Sequence, residues 1–343
     1  MKALITGGSG YFGSLLVKKL LSAGWDCRVL DINPYIGSKE VDFVQGDIRN
    51  IVLLLKACEN IDVIFHNVAQ VPLAKNKNLF NSVNITGTEN ILKASLKKGV
   101  KKVIYTSSSA VYGIPQINPV TEHMTPNPME SYGKAKYEAE KICKKYISNE
   151  LDIIIVRPRT ILGHGRLGIF QILFEWIREG SNIPVLGNGE NIYQFVHADD
   201  LADAIILSAD LRIKSGIYNC GAEVYGTMRK VLESLCEYSG TGSKVVSVPF
   251  RPAILGMKFS SLIGLSPLGP YHALMYGRSM YFDITKSKRE LSWKPKYSNN
   301  NMFEDSYDWY IKNREKVLND NHSGSHHQSK LKQGVLAIVK NFL

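Results

Sequence analysis

The hydrophobic positions in the first half of the chain follow two alternating periods. Short apolar runs rich in valine, isoleucine and leucine are typical of buried strands, and longer stretches with apolar residues at helical spacing separate them. The predicted strands are Lys2–Thr6, Asp26–Leu30, Val41–Gln45, Asp62–His66, Lys102–Ser107 and Asp152–Val156, and the predicted helices are Phe12–Ala23, Ile51–Cys58, Asn81–Lys98 and Ser131–Ser148. This alternation predicts an α/β fold with a doubly wound parallel sheet, covered by helices on both faces.

The pattern changes after Pro158, where irregular segments separate the elements. The predicted elements there are helices at Ile169–Glu179, Leu201–Ala209, Thr227–Ser239 and Asn301–Asn313 and a short strand at Tyr281–Asp283. Irregular insertions outside a regular sheet usually form a substrate-binding lobe. We therefore expect a sheet domain of residues 1–157 to which 187–215 return, and a smaller, mostly C-terminal substrate-binding lobe of residues 158–186 and 216–318. A polar linker and an amphipathic helix are predicted over residues 319–343.

Composition and charge narrow the possible partners. The 343 residues carry a formal net charge of +11, but the basic residues are scattered without an aromatic–basic alternation, so no nucleic acid is expected. The five cysteines are widely spaced and include no C-x-x-C pair, which favours reduced thiols and predicts no metal site. No secretory signal precedes the first strand, and no apolar run approaches the roughly 20 residues of a membrane span. We therefore expect a cytoplasmic protein.

A glycine-rich turn, T-G-G-S-G-Y-F-G over residues 6–13, follows the first predicted strand and opens the first helix. Gly7 permits a tight turn, Gly10 lets a pyrophosphate approach the backbone, and Gly13 allows close packing of helix and strand. The N–H groups at the helix N-terminus attract the negative charge of the diphosphate. Because the motif has its strand–turn–helix context, it predicts a Rossmann-type dinucleotide-binding domain.

The end of the second strand indicates which dinucleotide is bound. Asp31 follows the glycines by roughly 20 residues, where an acidic residue hydrogen-bonds the ribose hydroxyls and repels a 2′-phosphate. The sequence therefore predicts NAD as the cofactor. The other residues expected at the cofactor are Tyr11, Phe12, Ile32, Asp47, Ile48, Val68, Ala69 and Gln70.

A tyrosine and a lysine lie one helical turn apart at Tyr132 and Lys136. The Lys136 ammonium, together with the positive nicotinamide ring, is expected to lower the pKa of the Tyr132 phenol. A serine hydroxyl among Ser107–Ser109, at the end of a predicted strand, can hydrogen-bond a substrate oxygen that Tyr132 protonates or deprotonates. This set predicts hydride transfer to or from a secondary alcohol carbon.

Together these motifs resemble the extended short-chain dehydrogenase/reductase family. The motifs are the glycine loop, Asp31, S-S-S-A-V-Y-G at 107–113, Y-G-K-A-K at 132–136 and F-V-H-A-D-D at 195–200. The resemblance covers roughly residues 1–315. It implies an NAD-dependent oxidoreductase or epimerase in which Ser108 completes a catalytic set with Tyr132 and Lys136. Tyr132 and Lys136 are also implied to contact the cofactor, whereas His197 is expected to be structural.

The positions that separate the branches of this family depart from the nucleotide-sugar enzymes. Sugar 4,6-dehydratases carry Asp-Glu directly after the catalytic serine, where this chain has Ser109 and Ala110, so dehydration is not expected. Epimerases usually hold the diphosphate with an Arg and an Asn, where this chain has Tyr193 and Thr160. Both departures, and the apolar stretch 248–275, favour a lipophilic hydroxysteroid- or acyl-like substrate, although that composition suits the core of the lobe equally well.

Cations near the predicted pocket keep a second substrate class open. Arg159, His164, Arg166 and Arg278 can bind an anionic group. We rank a 3β-hydroxysteroid-dehydrogenase-like oxidoreductase ahead of a UDP-sugar 4-epimerase-like enzyme with a transient 4-keto intermediate. The candidate substrate residues are Ser109, Arg159, Thr160, Arg166, Tyr193 and Arg278.

Two expectations concern assembly. Apolar residues recur at helical spacing over Lys330–Leu343 and lysines flank them, a pattern that suits peripheral contact with an anionic membrane or packing on the substrate lobe. The family resemblance also implies a homodimer that packs through Asn81–Lys98 and Ser131–Ser148.

Overall fold

The computed structural model describes residues 1–70, 79–147, 151–166, 168–262 and 277–319, together with Met275 and Lys340. The short apolar runs form strands because β-branched side chains pack well on a buried, pleated surface. The strands are β1 (Lys2–Thr6), β2 (Asp26–Asp31), β3 (Asp42–Gln45), β4 (Val63–His66), β5 (Lys102–Thr106), β6 (Ile153–Pro158), β7 (Thr160–Leu162), β8 (Ile183–Leu186), β9 (Ile192–Tyr193), β10 (Phe195–His197), β11 (Gly216–Cys220), β12 (Gly226–Thr227) and β13 (Val245–Val248).

Seven strands form one parallel sheet in the order β11-β6-β5-β4-β1-β2-β3. The chain adds β2 and β3 on one side of β1 and then returns to build the other side from β4 onward. The order therefore reverses beside β1, and in such sheets ligands bind in the crevice at the carboxyl ends of the strands there. This topology confirms the predicted Rossmann-type α/β fold class.

Helices cover both faces of the sheet. They are α1 (Tyr11–Ser22), α2 (Ile51–Ala57), α3 (Gly87–Lys97), α4 (Ser131–Ile147), α5 (Ile169–Arg178), α6 (Ala198–Leu207), α7 (Met228–Ser239), α8 (Phe250–Leu262), α9 (Thr285–Glu290) and α10 (Asn299–Asn319). Helices α1 and α6 share one core with the sheet, through residues such as Leu16 and Leu201. Helices α2, α3 and α4 share the other, through Leu54, Ile91 and Ala139.

A third core lies in a smaller lobe, where α5, α7 and α10 pack around β8 through residues such as Trp176, Leu235 and Phe303. Strand β8 pairs with β13, β7 with β10, and β9 with β12, each in a two-stranded sheet. Because β7 follows β6 after a single residue, Arg159, this lobe begins directly at the carboxyl edge of the central sheet.

The predicted elements of the first half are present, with ends shifted by one or two residues. The predicted helix Asn81–Lys98 is divided into a π-helical stretch, Phe80–Thr86, and α3. Residues 216–220, assigned from the sequence to the substrate lobe, instead form the edge strand that pairs with β6. The strand predicted at Tyr281–Asp283 is reduced to an isolated bridge between Phe282 and Val120.

Several predictions fall on residues outside this description. The linker after Asn319 and the amphipathic helix Lys330–Leu343 lie there, apart from Lys340, whose ammonium contacts the Glu179 carboxylate. The apolar stretch 248–275 is described as far as α8 and at Met275. Within the described ranges, no helix is long and apolar enough to cross a membrane.

Candidate active site

The glycine loop between β1 and α1 forms a cradle that a side chain would fill. Gly7 has a φ of +74°, and a Cβ at Gly13 would lie 2.1 Å from the Gly7 carbonyl oxygen. Gly10 is the N-cap of α1 and supplies no side-chain hydrogen bond to the first turn. The first N–H groups of α1 therefore carry no capping side chain, as a diphosphate at this helix end requires.

Asp31 lies beside this loop at the end of β2. Its buried carboxylate accepts hydrogen bonds from the N–H of Ser9 at 3.0 Å and of Asn33 at 2.9 Å. These two bonds fix the orientation of the carboxylate, and each oxygen retains a lone pair for a ribose hydroxyl. The cradle and the oriented acid fit the adenosine diphosphate half of NAD.

The other predicted cofactor residues are dispersed around the loop. A Cβ at Gly7 would lie 3.2 Å from a methyl carbon of Val68, so that residue contacts the cradle. The N–H of Gln70 donates to Asn84 at 2.8 Å, and this bond fixes the segment after β4 that contains Ala69. Of the remaining predicted cofactor residues, Phe12 in α1 is half-buried, Ile32 is 58% exposed and Ile48 is buried.

Asp47, which is expected at the cofactor, forms a local ion pair. Its carboxylate contacts Arg49 at 2.5 Å, and hydrogen bonds from Arg49 lower the pKa of that carboxyl group. The side chain retains 36% exposure, and its contact with the cofactor stays a prediction.

Ser108 and Tyr132 are brought together by the end of β5 and the start of α4. Ser108 caps the short 3-10 turn Ser109–Tyr112 by accepting a hydrogen bond from the Ala110 N–H at 3.2 Å. It lies close enough to the Tyr132 phenol to lower the pKa of that group. At the start of α4, the Glu130 carboxylate accepts from the N–H of Tyr132 at 2.7 Å. Sequence reasoning missed Glu130, which positions Tyr132 by capping its helix.

The pKa of Tyr132 is governed by burial. Desolvation raises this pKa to about 12, while the Ser108 hydroxyl and the Arg166 guanidinium lower it and the Glu130 carboxylate raises it. The largest influences on this pKa do not include Lys136, whose ammonium donates to the Thr106 carbonyl at 2.7 Å. Tyr132 is therefore a protonated phenol at neutral pH. The effect of Lys136 together with the nicotinamide ring stays a prediction.

Lys136 is itself buried, and desolvation lowers its pKa to about 8, against the opposing effects of Cys143 and Glu140. Its ammonium lies 4.8 Å from the centroid of the Tyr105 ring. Lys136 can therefore release its proton, and lose its charge, at mildly alkaline pH.

Glu140, one helical turn beyond Lys136, forms an ion pair with the buried guanidinium of Arg157. It bonds the Nε of Arg157 at 2.8 Å and the Nη2 at 2.5 Å, and it accepts from the Ser107 hydroxyl at 2.6 Å. Arg157 also donates from Nη1 to the Tyr112 hydroxyl at 2.6 Å. Sequence reasoning missed this network, although the spacing of Glu140 after Tyr132 and Lys136 repeats the same helix face.

Four of the six candidate substrate residues form one cluster. The Nη1 of Arg159 donates to the Ser109 hydroxyl at 3.0 Å, and its guanidinium lies 4.5 Å from the centroid of the Tyr193 ring. The Tyr193 hydroxyl and the Thr160 hydroxyl share a hydrogen bond of 2.9 Å. Arg278 is exposed, and its backbone carbonyl accepts from Asn191.

Arg166 lies apart from that cluster, on the cofactor side. Its guanidinium is 5.8 Å from the centroid of the buried Tyr11 ring, and burial lowers its pKa to about 10. Its charge acts on the phenols of both Tyr11 and Tyr132. Arg166 is therefore a cation that affects the predicted catalytic tyrosine in this structure.

His197 is buried, and desolvation lowers its pKa to about 4. Its Nδ1 accepts from the Asp199 N–H at 3.2 Å, and its ring stacks on Tyr297 with 3.7 Å between centroids. These contacts describe a neutral ring that caps α6, as the structural interpretation of this residue predicts. In the described part of the chain, no group of His, Cys, Asp and Glu could hold a metal ion.

Comparison with known proteins gives this arrangement a family. A relative in Sinorhizobium fredii, the uncharacterised protein y4nG, is 50% identical over 98% of this chain and 85% of its own length. A UDP-glucose 4-epimerase of Lactobacillus helveticus is 30% identical over 87% of this chain and 93% of its own. The mouse sterol-4-alpha-carboxylate 3-dehydrogenase (decarboxylating) is 30% identical over 86% of each chain.

The fold has close counterparts among solved structures. The UDP-glucose 4-epimerase of Thermotoga maritima, solved with UDP-glucose, superposes with a TM-score of 0.76 at 24% identity, covering 92% of this chain and all of that one. The NAD-dependent epimerase/dehydratase family itself matches residues 3–221, which contain the glycine loop, Ser108, Tyr132 and Lys136. The chain therefore belongs to the NAD-dependent epimerase/dehydratase family, and it is an enzyme whose cofactor is NAD.

Proposed function

We propose that this enzyme is a dehydrogenase that interconverts a secondary alcohol and a ketone on a lipophilic, hydroxysteroid- or acyl-like substrate. Ser108, Tyr132 and Lys136 are the proposed catalytic residues. The sterol dehydrogenase relative, at 30% identity, supports this substrate class, although a UDP-glucose 4-epimerase is equally similar. The choice between them therefore depends on the pocket.

The observation that carries the proposal is the hydrogen bond between Thr160 and Tyr193. These residues occupy the positions where epimerases usually have the Asn and the Arg that hold the diphosphate. The two hydroxyls bond each other at 2.9 Å, and the Tyr193 ring is buried at 8% exposure. Neither residue carries a charge and their hydroxyls bond each other, so this pair does not supply the Asn and Arg contacts that a diphosphate receives in epimerases.

The proton transfer follows from the state of the tyrosine. With a pKa near 12, the Tyr132 phenol can protonate the oxygen of a ketone that is being reduced. The Ser108 hydroxyl lies near that phenol and is proposed to bond the same oxygen. In the reverse direction Tyr132 takes the hydroxyl proton, which requires nearby positive charge to lower its pKa. The hydride would be accepted by NAD⁺ in oxidation and donated by NADH in reduction.

Dehydration is not part of the proposal. Ser109, which follows Ser108, carries no acid, and its hydroxyl is bonded to Arg159. The second candidate is a UDP-sugar 4-epimerase, which the Lactobacillus relative favours. An epimerase keeps its NAD through the catalytic cycle, whereas a dehydrogenase exchanges it, so a tightly bound, non-exchanging equivalent of NAD in the purified protein would contradict our proposal.

The catalytic assignment is tested by Tyr132→Phe, with Tyr137→Phe on the same helix as the control. The first variant should lose about 10²–10⁴-fold in kcat while binding NAD unchanged, because only the proton-transfer group is removed. Turnover is measured as NADH absorbance with hydroxysteroids and 3-hydroxyacyl compounds, and as product formation with UDP-sugars. An active Tyr132→Phe enzyme would refute the role of Tyr132.

A homodimer, testable by sedimentation, remains a prediction.

A further inference from the structure

The guanidinium of Arg159 is buried and held in a fixed plane. The residue is 1% exposed, and its guanidinium lies 4.5 Å from the centroid of the Tyr193 ring and 5.5 Å from that of Phe282. Its backbone N–H donates to the Cys220 carbonyl at 2.8 Å, directly beyond the end of β6. The Nη1 nitrogen bonds Ser109 at 3.0 Å. Position and orientation are therefore both determined by the protein.

The other two nitrogens of this group have no partner. Among the residues that the structure describes, neither Nε nor Nη2 of Arg159 has a hydrogen-bond acceptor. These two nitrogens form the edge of a guanidinium that binds a carboxylate through two parallel bonds. Arg157, two residues earlier, uses the same pair of nitrogens to bind Glu140. Arg159 thus presents the donor edge that Arg157 uses, without the acid.

The described residues offer Arg159 no counter-ion. Within the described ranges Arg159 forms no ion pair with a carboxylate, and the stretches 71–78 and 238–282 contain no Asp or Glu. A buried cation in this state is costly unless an anion binds to it.

We propose that Arg159 binds a carboxylate of the substrate through Nε and Nη2. This inference rests on the proposed function in one respect, that the reacting oxygen binds at Ser108 and Tyr132. Arg159 bonds Ser109, the neighbour of Ser108, and adjacent Cα atoms are about 3.8 Å apart. The carboxylate therefore lies close to the reacting carbon, and the substrate class is a hydroxy or keto carboxylic acid.

Binding of a small carboxylate tests this site without turnover. Hexanoate and the neutral hexanamide are titrated calorimetrically into the NAD-bound enzyme, its Arg159→Met variant, and an Arg289→Met control at an exposed arginine of α9. Hexanoate should bind roughly 30-fold or more weakly to Arg159→Met and unchanged to Arg289→Met, since one partner of a buried charge pair is lost. Hexanamide should not distinguish the variants. Equal hexanoate affinities, or no saturable hexanoate binding to the unmodified enzyme, would overturn the proposal.

Stability separates a binding cation from a structural one. Arg159→Met should unfold at a temperature equal to or several degrees above that of the unmodified enzyme, because a charge without an internal partner is removed. A fall of several degrees would mean that Arg159 supports the fold and would count against the proposal. Arg159→Lys keeps the charge but not the two-nitrogen edge, so it should fold normally and bind hexanoate more weakly.

Paired substrates make failure of this inference distinguishable from failure of the proposed function. One pair is 3-hydroxydecanoate and its methyl ester, and the other is UDP-glucuronate and UDP-glucose. Preference for the acid of the first pair supports both proposals, and Arg159→Met should remove it mainly through KM. Preference for UDP-glucuronate alone would retain the Arg159 site but refute the lipophilic substrate. Equal or better turnover of the neutral members would overturn the carboxylate site.

Discussion

Two arginines that are two residues apart differ in how their buried charge is stabilised. Arg157 is 1% exposed, and its three guanidinium nitrogens are bonded to Glu140 and Tyr112. Arg159 is equally buried, yet within the described chain its partners are Ser109, the Met280 sulfur and aromatic rings, with no carboxylate. The comparison separates two uses of one residue type: the first cation completes the core, and the second is held in position for an external anion.

The largest expected effect comes from breaking the internal pair. Glu140→Gln leaves the Arg157 guanidinium buried without its counter-charge, so we expect the free energy of unfolding to fall by about 3–5 kcal/mol. Urea denaturation measures this loss. The double variant Glu140→Leu, Arg157→Met removes both charges and should recover much of it.

The contrast fails if Glu140→Gln is as stable as the unmodified enzyme. In that case burial would not cost an unpartnered arginine enough to require an anion, and the same reasoning would lose its force at Arg159. The result therefore bears on both arginines, although only one of them is changed.

The parts of this site that could be predicted are those that local sequence determines. The glycine loop, Asp31, Tyr132 and Lys136 each lie in a motif whose strand–turn or helix context is visible in the hydrophobic pattern. For the same reason the parallel sheet was predicted with small errors at the strand ends. The edge strand β11 was missed because it follows an excursion of the chain through the lobe, and its pairing with β6 depends on tertiary structure.

Charge compensation could not be predicted, because it depends on contacts between distant residues. Glu140 and Arg157 come from a helix and a strand that sequence patterns place in separate elements. The direction of the Lys136 ammonium could not be predicted for a related reason. The spacing of four residues puts both on one helix face, but the direction of the ammonium is decided by the Thr106 carbonyl on the neighbouring strand.

Lys136 extends the comparison, because a lysine can release its proton and an arginine cannot. Burial lowers the pKa of Lys136 from 10.5 to about 8. Between these pH values the unfolded chain binds a proton that the folded chain does not, so this group increases stability as the pH rises. Relative to Lys136→Met, the free energy of unfolding of the cofactor-free enzyme should therefore rise by up to about 3 kcal/mol from pH 8 to 10.5.

Denaturation of both proteins across that pH range gives this difference directly. A flat difference would mean that Lys136 is charged in the folded protein over the whole range, as Arg157 is. A difference that falls with rising pH would indicate a stabilising ion pair at Lys136 instead. Either result would remove the distinction that we draw between Arg157, which stays charged, and Lys136, which loses its charge at alkaline pH.

The smallest expected effect concerns the polar bond beneath the Arg159 site. Tyr193→Phe removes the hydroxyl that bonds Thr160 but keeps the ring against which the guanidinium packs. We expect a loss of about 1 kcal/mol in the free energy of unfolding, with a coupling of similar size to Thr160→Val in a double-mutant cycle. Hexanoate affinity should be unchanged, whereas Tyr193→Leu, which removes the ring, should weaken it. If Tyr193→Phe and Tyr193→Leu weaken hexanoate binding equally, the hydroxyl and not the ring positions Arg159. The anion site would then depend on the Thr160–Tyr193 hydrogen bond, which also distinguishes this pocket from the diphosphate-binding pocket of epimerases.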